Sequence, residues 1–275
     1  MSQLPNISIY VVHYTKLKKR KLYLEKFFSE KEITAQWVTE KKLEYVNRPL
    51  ISQSNTIFGI SEKKIGMDLG VNSRSLVFSR RKARLQGYFL YLRSYIAKKG
   101  NLYTTGSLPP KLPLSRAWQE VQLMHISALR QGIKTKREWI LVLEDDALPT
   151  TLAFNKIKKI TENLEAKNTW INLNSGAGLK RTKSERKIDS NGLFQVHPAS
   201  TRCAVAYLIS RDLAIQMSHF IDQYGLPDWL PIDLIYQALL RKCRANAYWQ
   251  DPPVFQQGSE NGTYESFFEL IRSEK

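Results

Sequence analysis

Short apolar segments alternate with amphipathic ones along this chain, which is the pattern of an α/β fold. Residues 7–14, ISIYVVHY, are apolar or β-branched throughout, as expected for a strand that is buried on both faces. Residues 21–31, KLYLEKFFSEK, have the apolar spacing of a helix, and residues 36–40, QWVTE, are typical of a second strand. This strand–helix–strand opening predicts parallel pairing and an α/β fold.

The C-terminal half continues the alternation of strands and helices. Helices are predicted over residues 115–131, 152–165, 211–225 and 231–242. Strands are predicted over residues 139–143, 170–174 and 205–210. The polar segments 175–192 and 249–275 indicate a loop and a C-terminal tail. We therefore expect a mixed, mostly parallel central sheet that is flanked by helices.

The segment between these two parts has a different pattern. Residues 47–73 are rich in Asn, Ser and Gly, which favours irregular structure. Residues 74–99 have apolar side chains at helical spacing and basic side chains between them, which predicts a long helix. We interpret residues 47–113 as a candidate helical insertion into one domain that spans residues 1–275.

Charge is distributed unevenly along the chain. The 275 residues carry a formal net charge of +17, with 43% hydrophobic and 24% charged residues, a composition typical of globular proteins. Residues 1–137 contain 26 Lys and Arg against 8 Asp and Glu, whereas residues 138–275 are close to neutral. The basic half predicts an anionic partner, which can be nucleic acid, a membrane surface or a phosphorylated ligand.

The cysteines and the apolar runs bear on where the protein is located. Cys203 and Cys243 have no metal-binding spacing, so we expect free thiols in a reducing compartment. The N-terminal residues lack the features of a signal peptide, and no apolar run approaches the roughly 18 residues of a membrane span. We expect a cytoplasmic protein, with peripheral attachment to the inner face of the cytoplasmic membrane as a further expectation.

Three consecutive carboxylates directly follow one predicted strand. The strand WILVL, residues 139–143, runs into Glu144, Asp145 and Asp146. Ligands of α/β sheets collect at the carboxyl ends of strands, and adjacent buried carboxylates are costly unless a cation compensates them. Because alternate side chains of a strand point to opposite faces, we expect Glu144 and Asp146 to point together into a crevice. Two carboxylates suit Mg²⁺ or Mn²⁺ when phosphate oxygens complete the coordination.

Two other interpretations of the triplet stay open at this point. In the first, the triplet is a solvated strand end in which one acid caps the next helix. In the second, the chain is a receiver domain, whose first strand also ends in paired acids. A receiver domain additionally needs a phospho-accepting Asp at the end of a later strand, and the nearest candidate, Asp189, lies in a predicted polar loop.

Four stretches of the chain are distinctive as motifs. They are IYVVHYTKLKKRK, the helix that contains His125, LVLEDDA, and the C-terminal series AYLISRDLA, PIDLIYQALL and DPPVFQQGSENGT. Together they resemble glycosyltransferase family 25, which includes bacterial lipooligosaccharide galactosyltransferases and collagen galactosyltransferase domains. The resemblance covers residues 7–40 and 115–262, and LVLEDDA is its most specific part. The sequence departs from the family at Met124, where Ser is usual, and at CAVAYLIS, which replaces a stretch with Gly and His.

The resemblance implies a fold and an activity. The expected fold is GT-A-like, with a Rossmann-like half that binds the nucleotide. The expected enzyme is a metal-dependent, inverting hexosyltransferase that uses a UDP-sugar, with galactose as the first candidate sugar. The expected acceptor is a cell-surface glycan or glycolipid such as a lipooligosaccharide core. Inversion by a single displacement requires a general base and no covalent intermediate.

The same resemblance implies a role for each candidate site residue. Glu144 and Asp146 would hold Mn²⁺ or Mg²⁺. The donor would contact Tyr14, Thr15, Arg20, Asp145, Gln257 and Ser259. Asp233 lies in the Pro-x-Asp motif at the start of a predicted helix and is the expected catalytic base. His125 has two interpretations, since it can orient a site carboxylate or be a hydrogen-bonded core histidine.

Alternatives to this enzyme are also compatible with the sequence. Asp228 and Asp251 are other carboxylates that can serve as the base. A nucleic-acid-binding protein is favoured by the isoelectric point near 9.8 and the basic half, although the chain has no recognisable nucleic-acid-binding motif. An inactive family member that binds a glycan without turning it over is a further alternative.

Overall fold

The computed structural model describes residues 4, 6–40, 116–174, 186–189, 192–198, 203–226 and 231–265. The helices within these ranges are α1 (Lys18–Glu30), α2 (Arg116–Lys134), α3 (Ala153–Asn163), α4 (Arg211–Tyr224) and α5 (Ile232–Lys242). The strands are β1 (Ile7–His13), β2 (Gln36–Thr39), β3 (Trp139–Glu144), β4 (Ala147–Pro149), β5 (Thr169–Asn172), β6 (Arg186–Lys187), β7 (Leu193–Val196), β8 (Ala206–Ser210), β9 (Asn246–Gln250) and β10 (Phe255–Gln257). The candidate insertion, 47–113, and its predicted helix, 74–99, lie outside the described residues.

Eight strands form the central sheet, in the order β2-β1-β3-β8-β5-β9-β7-β6. β1 is parallel to β2 and β3, and β5 is parallel to β9, whereas the other four pairings are antiparallel. The α/β class and the mixed sheet are as predicted, but the expected majority of parallel pairings is not found. The reason is that β8 enters the sheet between β3 and β5 and runs against both, while β6 and β7 pair as antiparallel neighbours.

Alternate side chains of the central strands enter two separate cores, one on each face of the sheet. On β3, Ile140 and Val142 pack in the core that α2, α4 and α5 cover, while Leu141 and Leu143 pack in the core that α1 and α3 cover. Successive residues of a strand point to opposite faces, so one continuous apolar strand supplies both cores. The described chain is therefore a three-layer arrangement of helices, sheet and helices.

Amphipathic spacing explains how the flanking helices bury one face. The buried positions of α4 recur at helical spacing and are Leu213, Ala214, Met217 and Ile221. The helix ends at Gly225, whose φ of 76° is a conformation that favours glycine. The first helix begins at Lys18. The prediction began at residue 21 because the first turn of the helix is polar and shows no apolar spacing.

Two expectations about the chain as a whole can be compared with the structure. No helix within the described ranges is long and apolar enough to cross a membrane. Cys203 and Cys243 are both free thiols, as predicted, with Cys243 buried and Cys203 half-buried.

Candidate functional site

The carboxyl ends of β1 and β3 meet at one edge of the sheet. The two strands are parallel and in a register that places Val12 beside Glu144. β8 runs in the opposite direction, so the loop before it arrives at the same edge, where the Glu144 amide donates to the Val205 carbonyl at 2.7 Å. β10 pairs with β4 and aligns Gln257 with Ala147. Segments that are far apart in the sequence therefore surround the acidic triplet.

A pocket of about 380 Å³ opens at this edge. Its acidic lining residues are Glu144, Asp145, Asp146, Asp233 and Glu260. Its apolar and aromatic lining residues include Tyr14, Leu17, Trp118, Val121, Met124 and Ile232. Among the described residues, Arg20 is the one basic side chain in the lining. The pocket has the size of a small-ligand site and combines an apolar side with a strongly acidic one.

Asp145 is held by the last residue of β1 and by residues that follow this strand. Arg20 Nη1 donates to Asp145 Oδ1 at 2.8 Å, and Arg20 is only 5% exposed. On the other oxygen, Oδ2, His13 Nδ1 lies at 2.9 Å and the Tyr14 amide donates at 3.3 Å. The charge of Asp145 is thus offset by a buried guanidinium. The sequence analysis identified Arg20 and Tyr14 but not His13, which is the last residue of β1.

The two carboxylate oxygens of Asp146 differ in their hydrogen bonds. Ser259 Oγ donates to Asp146 Oδ2 at 2.6 Å, and the Gly258 amide donates to the Asp146 carbonyl at 2.8 Å. Oδ1 is buried and has no hydrogen-bond partner in the described part of the chain. Burial raises the pKa of Asp146, against the lowering effects of the Ser259 hydrogen bond and the Arg20 charge. A buried carboxylate oxygen without a hydrogen-bond partner is unusual, and coordination of a cation is one chemical explanation for it.

The residues around Asp146 fit a hard divalent cation. Gln257 Nε2 donates to Ser259 Oγ at 3.2 Å, and Gln257 Oε1 is a second buried oxygen without a partner among the described residues. Oxygen ligands of this kind suit Mg²⁺ or Mn²⁺. No group of three or more His, Cys, Asp or Glu with metal-binding geometry occurs in the described ranges. Asp146 and Gln257 fit a site whose coordination phosphate oxygens and water would complete.

Glu144 faces the pocket and contacts a buried histidine. His125 Nε2 lies 3.2 Å from Glu144 Oε1, and the Glu144 side chain is 26% exposed. Burial and the negative charges of Asp146 and Asp145 raise the pKa of Glu144 to about 8. Burial lowers the pKa of His125 to about 4, so the imidazole is neutral at neutral pH. The structure thus places His125 below the pocket floor, in contact with one of the predicted metal ligands.

Asp233 lines the same pocket as the triplet and lies in the first turn of α5. The Ala204 amide donates to Asp233 Oδ1 at 2.6 Å. Burial and the charge of Glu144 raise the pKa of Asp233 to about 6, against the opposing effects of the Ala204 amide and His125. Of the two alternative bases, Asp228 lies outside the described residues, and Asp251 is not part of the pocket lining.

The structure brings most of the predicted site residues together. Eight of them line the pocket, namely Tyr14, Arg20, Glu144, Asp145, Asp146, Asp233, Gln257 and Ser259. Thr15, a predicted donor contact, is not in the lining. Its amide donates to Glu40 Oε2 at 3.0 Å, and its hydroxyl donates to the other oxygen of Glu40.

The sequence analysis missed the apolar side of the pocket. Trp118 and Val121 line it from α2, and they share a helix face with His125 because the three residues are spaced three and four apart. Tyr236 was also missed, although it lies one helical turn after Asp233. Helical spacing counted from His125 would have identified Trp118 and Val121, and the same spacing counted from Asp233 would have identified Tyr236.

Comparison with known proteins adds no assignment. No protein-family model matches the chain. No curated protein matches it at a significant level. The resemblance to glycosyltransferase family 25 therefore stays a prediction, and the functional argument depends on the geometry of the site.

Proposed function

We propose that this protein is a metal-dependent, inverting glycosyltransferase. It would transfer a hexose, with galactose as the first candidate, from a UDP-sugar to a cell-surface glycan acceptor such as lipooligosaccharide. The observation that carries the proposal is the unpartnered, buried Asp146 Oδ1 beside Glu144 in an acidic pocket. A diphosphate would be repelled by this pocket unless a cation lay between them. A cation and a nucleoside diphosphate would therefore bind together.

The two sides of the pocket suit the two parts of such a donor. The cation would be held next to the diphosphate by Glu144, Asp146 and the side-chain oxygen Oε1 of Gln257. A bound Mn²⁺ or Mg²⁺ would offset the negative charge that develops on the departing diphosphate. Trp118 and Tyr14 offer aromatic surface for the base or the sugar.

The proposed reaction is a single displacement. The acceptor hydroxyl oxygen forms a bond to the anomeric carbon while the bond from that carbon to the diphosphate breaks, and the electron pair leaves with UDP. The hydroxyl proton passes to Asp233, which acts as the general base. The Ala204 amide holds Oδ1 of this carboxylate, which leaves Oδ2 for the acceptor.

The proposal includes attachment to an anionic membrane surface. The basic residues of the N-terminal half supply the charge, and the described part of this half contains an apolar surface as well. Leu22 and Tyr23 of α1 are 65% and 43% exposed, and Lys18, Lys19 and Lys26 are exposed on the same helix. Exposed apolar side chains among lysines are typical of helices that lie at a membrane interface.

Release of UDP from UDP-hexoses, measured with Mn²⁺ and a lipooligosaccharide acceptor, tests the proposal. We expect Asp233→Asn to lower the transfer rate by about 10²–10⁴-fold, because the base is lost. The amide oxygen of Asn can still accept from Ala204, so folding and UDP binding should be retained. Asp222→Asn makes the same change on the exposed side of α4 and should be as active as the wild type.

Two results would contradict different parts of this proposal. If the wild type released no UDP from any hexose donor, the transferase activity itself would be wrong, and an inactive glycan-binding protein would become the better account. If Asp233→Asn were as active as the wild type, the assignment of the base would be wrong while the activity would stand.

A further inference from the structure

A row of four hydrogen-bonding side chains runs from the pocket into the core. Glu144 Oε1 lies 3.2 Å from His125 Nε2, and His125 Nδ1 lies 3.2 Å from the Tyr207 hydroxyl. The Tyr207 hydroxyl lies 2.8 Å from the Tyr236 hydroxyl. Glu144 lines the pocket, whereas the other three side chains are at most 1% exposed. Within this row of hydrogen bonds, Glu144 is the residue that reaches the pocket.

The rings of this row are fixed by the core around them. Trp170 stacks on Tyr207, with centroids 4.1 Å apart and planes inclined by 17°. Tyr236 packs edge-on against both His125 and Tyr207, at 6.0 and 5.4 Å. The rings come from α2, β5, β8 and α5, so none can turn without disturbing a close-packed core. The positions of the two hydroxyl groups are consequently well defined.

Hydrogen-bond accounting gives the row a direction when Glu144 is a carboxylate. A carboxylate can only accept, so the hydrogen must lie on His125 Nε2. A neutral imidazole has one N–H, so Nδ1 accepts and the Tyr207 hydroxyl donates to it. The Tyr207 oxygen is then free to accept from the hydroxyl of Tyr236. In this arrangement His125 Nε2 and the Tyr207 hydroxyl each donate to an acceptor, and His125 Nδ1 and the Tyr207 oxygen each accept a hydrogen bond.

We propose that His125 is a positioning residue, which as the Nε2–H tautomer fixes one oxygen of Glu144 and leaves the other for a ligand in the pocket, while Tyr207, itself hydrogen-bonded to Tyr236, holds the imidazole ring at Nδ1. The inference deepens the proposed function and rests on it for the identity of that ligand, a cation with a diphosphate. Without the Tyr207 hydroxyl, Nδ1 loses its donor and the imidazole ring is held by a hydrogen bond at Nε2 alone. Glu144 would then be held less firmly by His125.

Nitrogen-15 NMR of histidine-labelled, metal-free protein tests the tautomer directly. Spectra should be recorded over an alkaline pH series, so that the tautomer is determined where Glu144 is a carboxylate. We expect His125 to carry its hydrogen on Nε2 in the wild type, and we expect the Nδ1 resonance to shift in Tyr207→Phe because the hydrogen bond from the hydroxyl is lost. Tyr10→Phe removes a hydroxyl from another buried tyrosine of the same core and should give the wild-type spectrum. A hydrogen on Nδ1 in the wild type, or an unchanged Nδ1 resonance in Tyr207→Phe, would overturn the inference.

Binding of Mn²⁺ supplies a second readout that a purely structural role would not change. His125→Leu should weaken binding by about 10–100-fold, as is usual when the partner of a metal ligand is removed. His125→Gln should recover most of the affinity, because its amide can donate to Glu144. Equal affinities of the wild type and His125→Leu would contradict the positioning of Glu144. If the wild type bound neither Mn²⁺ nor UDP, the proposed function would fail instead, and the NMR spectrum would still decide the tautomer.

Discussion

At the scale of single residues, the Arg20–Asp145 pair makes burial of the triplet tolerable. Both side chains are at most 7% exposed, and their contact is 2.8 Å long. Breaking a buried ion pair by removing one partner is far more costly than breaking an exposed one, because an uncompensated charge is left in the interior. The pair between Arg116 and Glu120 is an exposed counterpart on α2, with the Arg116 side chain 90% exposed.

We expect Arg20→Met to lower the free energy of unfolding by about 3–5 kcal/mol, because Asp145 would remain charged and buried without its cation. Arg116→Met should change it by less than about 1 kcal/mol. Urea unfolding followed by tryptophan fluorescence measures both values. A loss of under about 1 kcal/mol in Arg20→Met would mean that the pair does not stabilise the buried triplet.

The residues of the site could be predicted from the sequence only in part. Glu144 and Asp146 were identified because three carboxylates after an apolar strand are visible in a short window. The contact between His125 and Tyr207 joins residues 82 positions apart, and no local pattern encodes such a distance. Thr15 lies next to the pocket residue Tyr14 in the sequence, but its contacts with Glu40 could not be seen before the chain was folded.

At the scale of elements, the exposed face of α1 should act as a membrane-binding surface. Replacement of Lys18, Lys19 and Lys26 by Gln should lower partitioning onto anionic vesicles by about 100-fold, at roughly 1 kcal/mol for each basic residue near the surface. Leu22→Ser should also lower it, since Leu22 is 65% exposed, whereas Ile215→Ser on α4 should not. Vesicle flotation measures the effect. Equal partitioning of all these variants, or equal binding to neutral vesicles, would exclude this surface.

Elements were predicted where apolar periodicity was long enough to be distinctive. β1 and β3 are continuous apolar runs, and α4 and α5 have helical spacing over several turns, so each was identified. No element was predicted for β7 or for most of β9, since each is a short segment with polar residues within it. Such strands are stabilised by their neighbours in the sheet rather than by their own sequence.

At the scale of the whole molecule, the strand order brings the pocket residues together, and this order could not be predicted from the sequence. The opening strand, helix and strand correctly indicated an α/β fold. The antiparallel insertion of β8 between β3 and β5 depends on pairings between distant segments. This insertion brings Ala204 and the start of α5 to the carboxyl end of β3, and so places Asp233 in the same pocket as the triplet.

Charge also acts at the scale of the whole molecule. The chain has a net charge of +17, whereas the lining of the pocket is strongly acidic. The positive potential of the whole protein would attract an anionic donor. The negative potential inside the pocket would repel the donor unless a cation accompanied it. This contrast makes dependence on a metal the central claim of the account.

Calorimetric titration of UDP into the wild-type protein, with and without Mn²⁺, tests this claim most directly. We expect UDP to bind only when Mn²⁺ is present, and Asp146→Asn to lower the affinity by at least about tenfold. Asp222→Asn, outside the pocket, should bind as the wild type does. Binding of UDP with the same affinity in the presence and absence of metal, or no binding under either condition, would contradict the account.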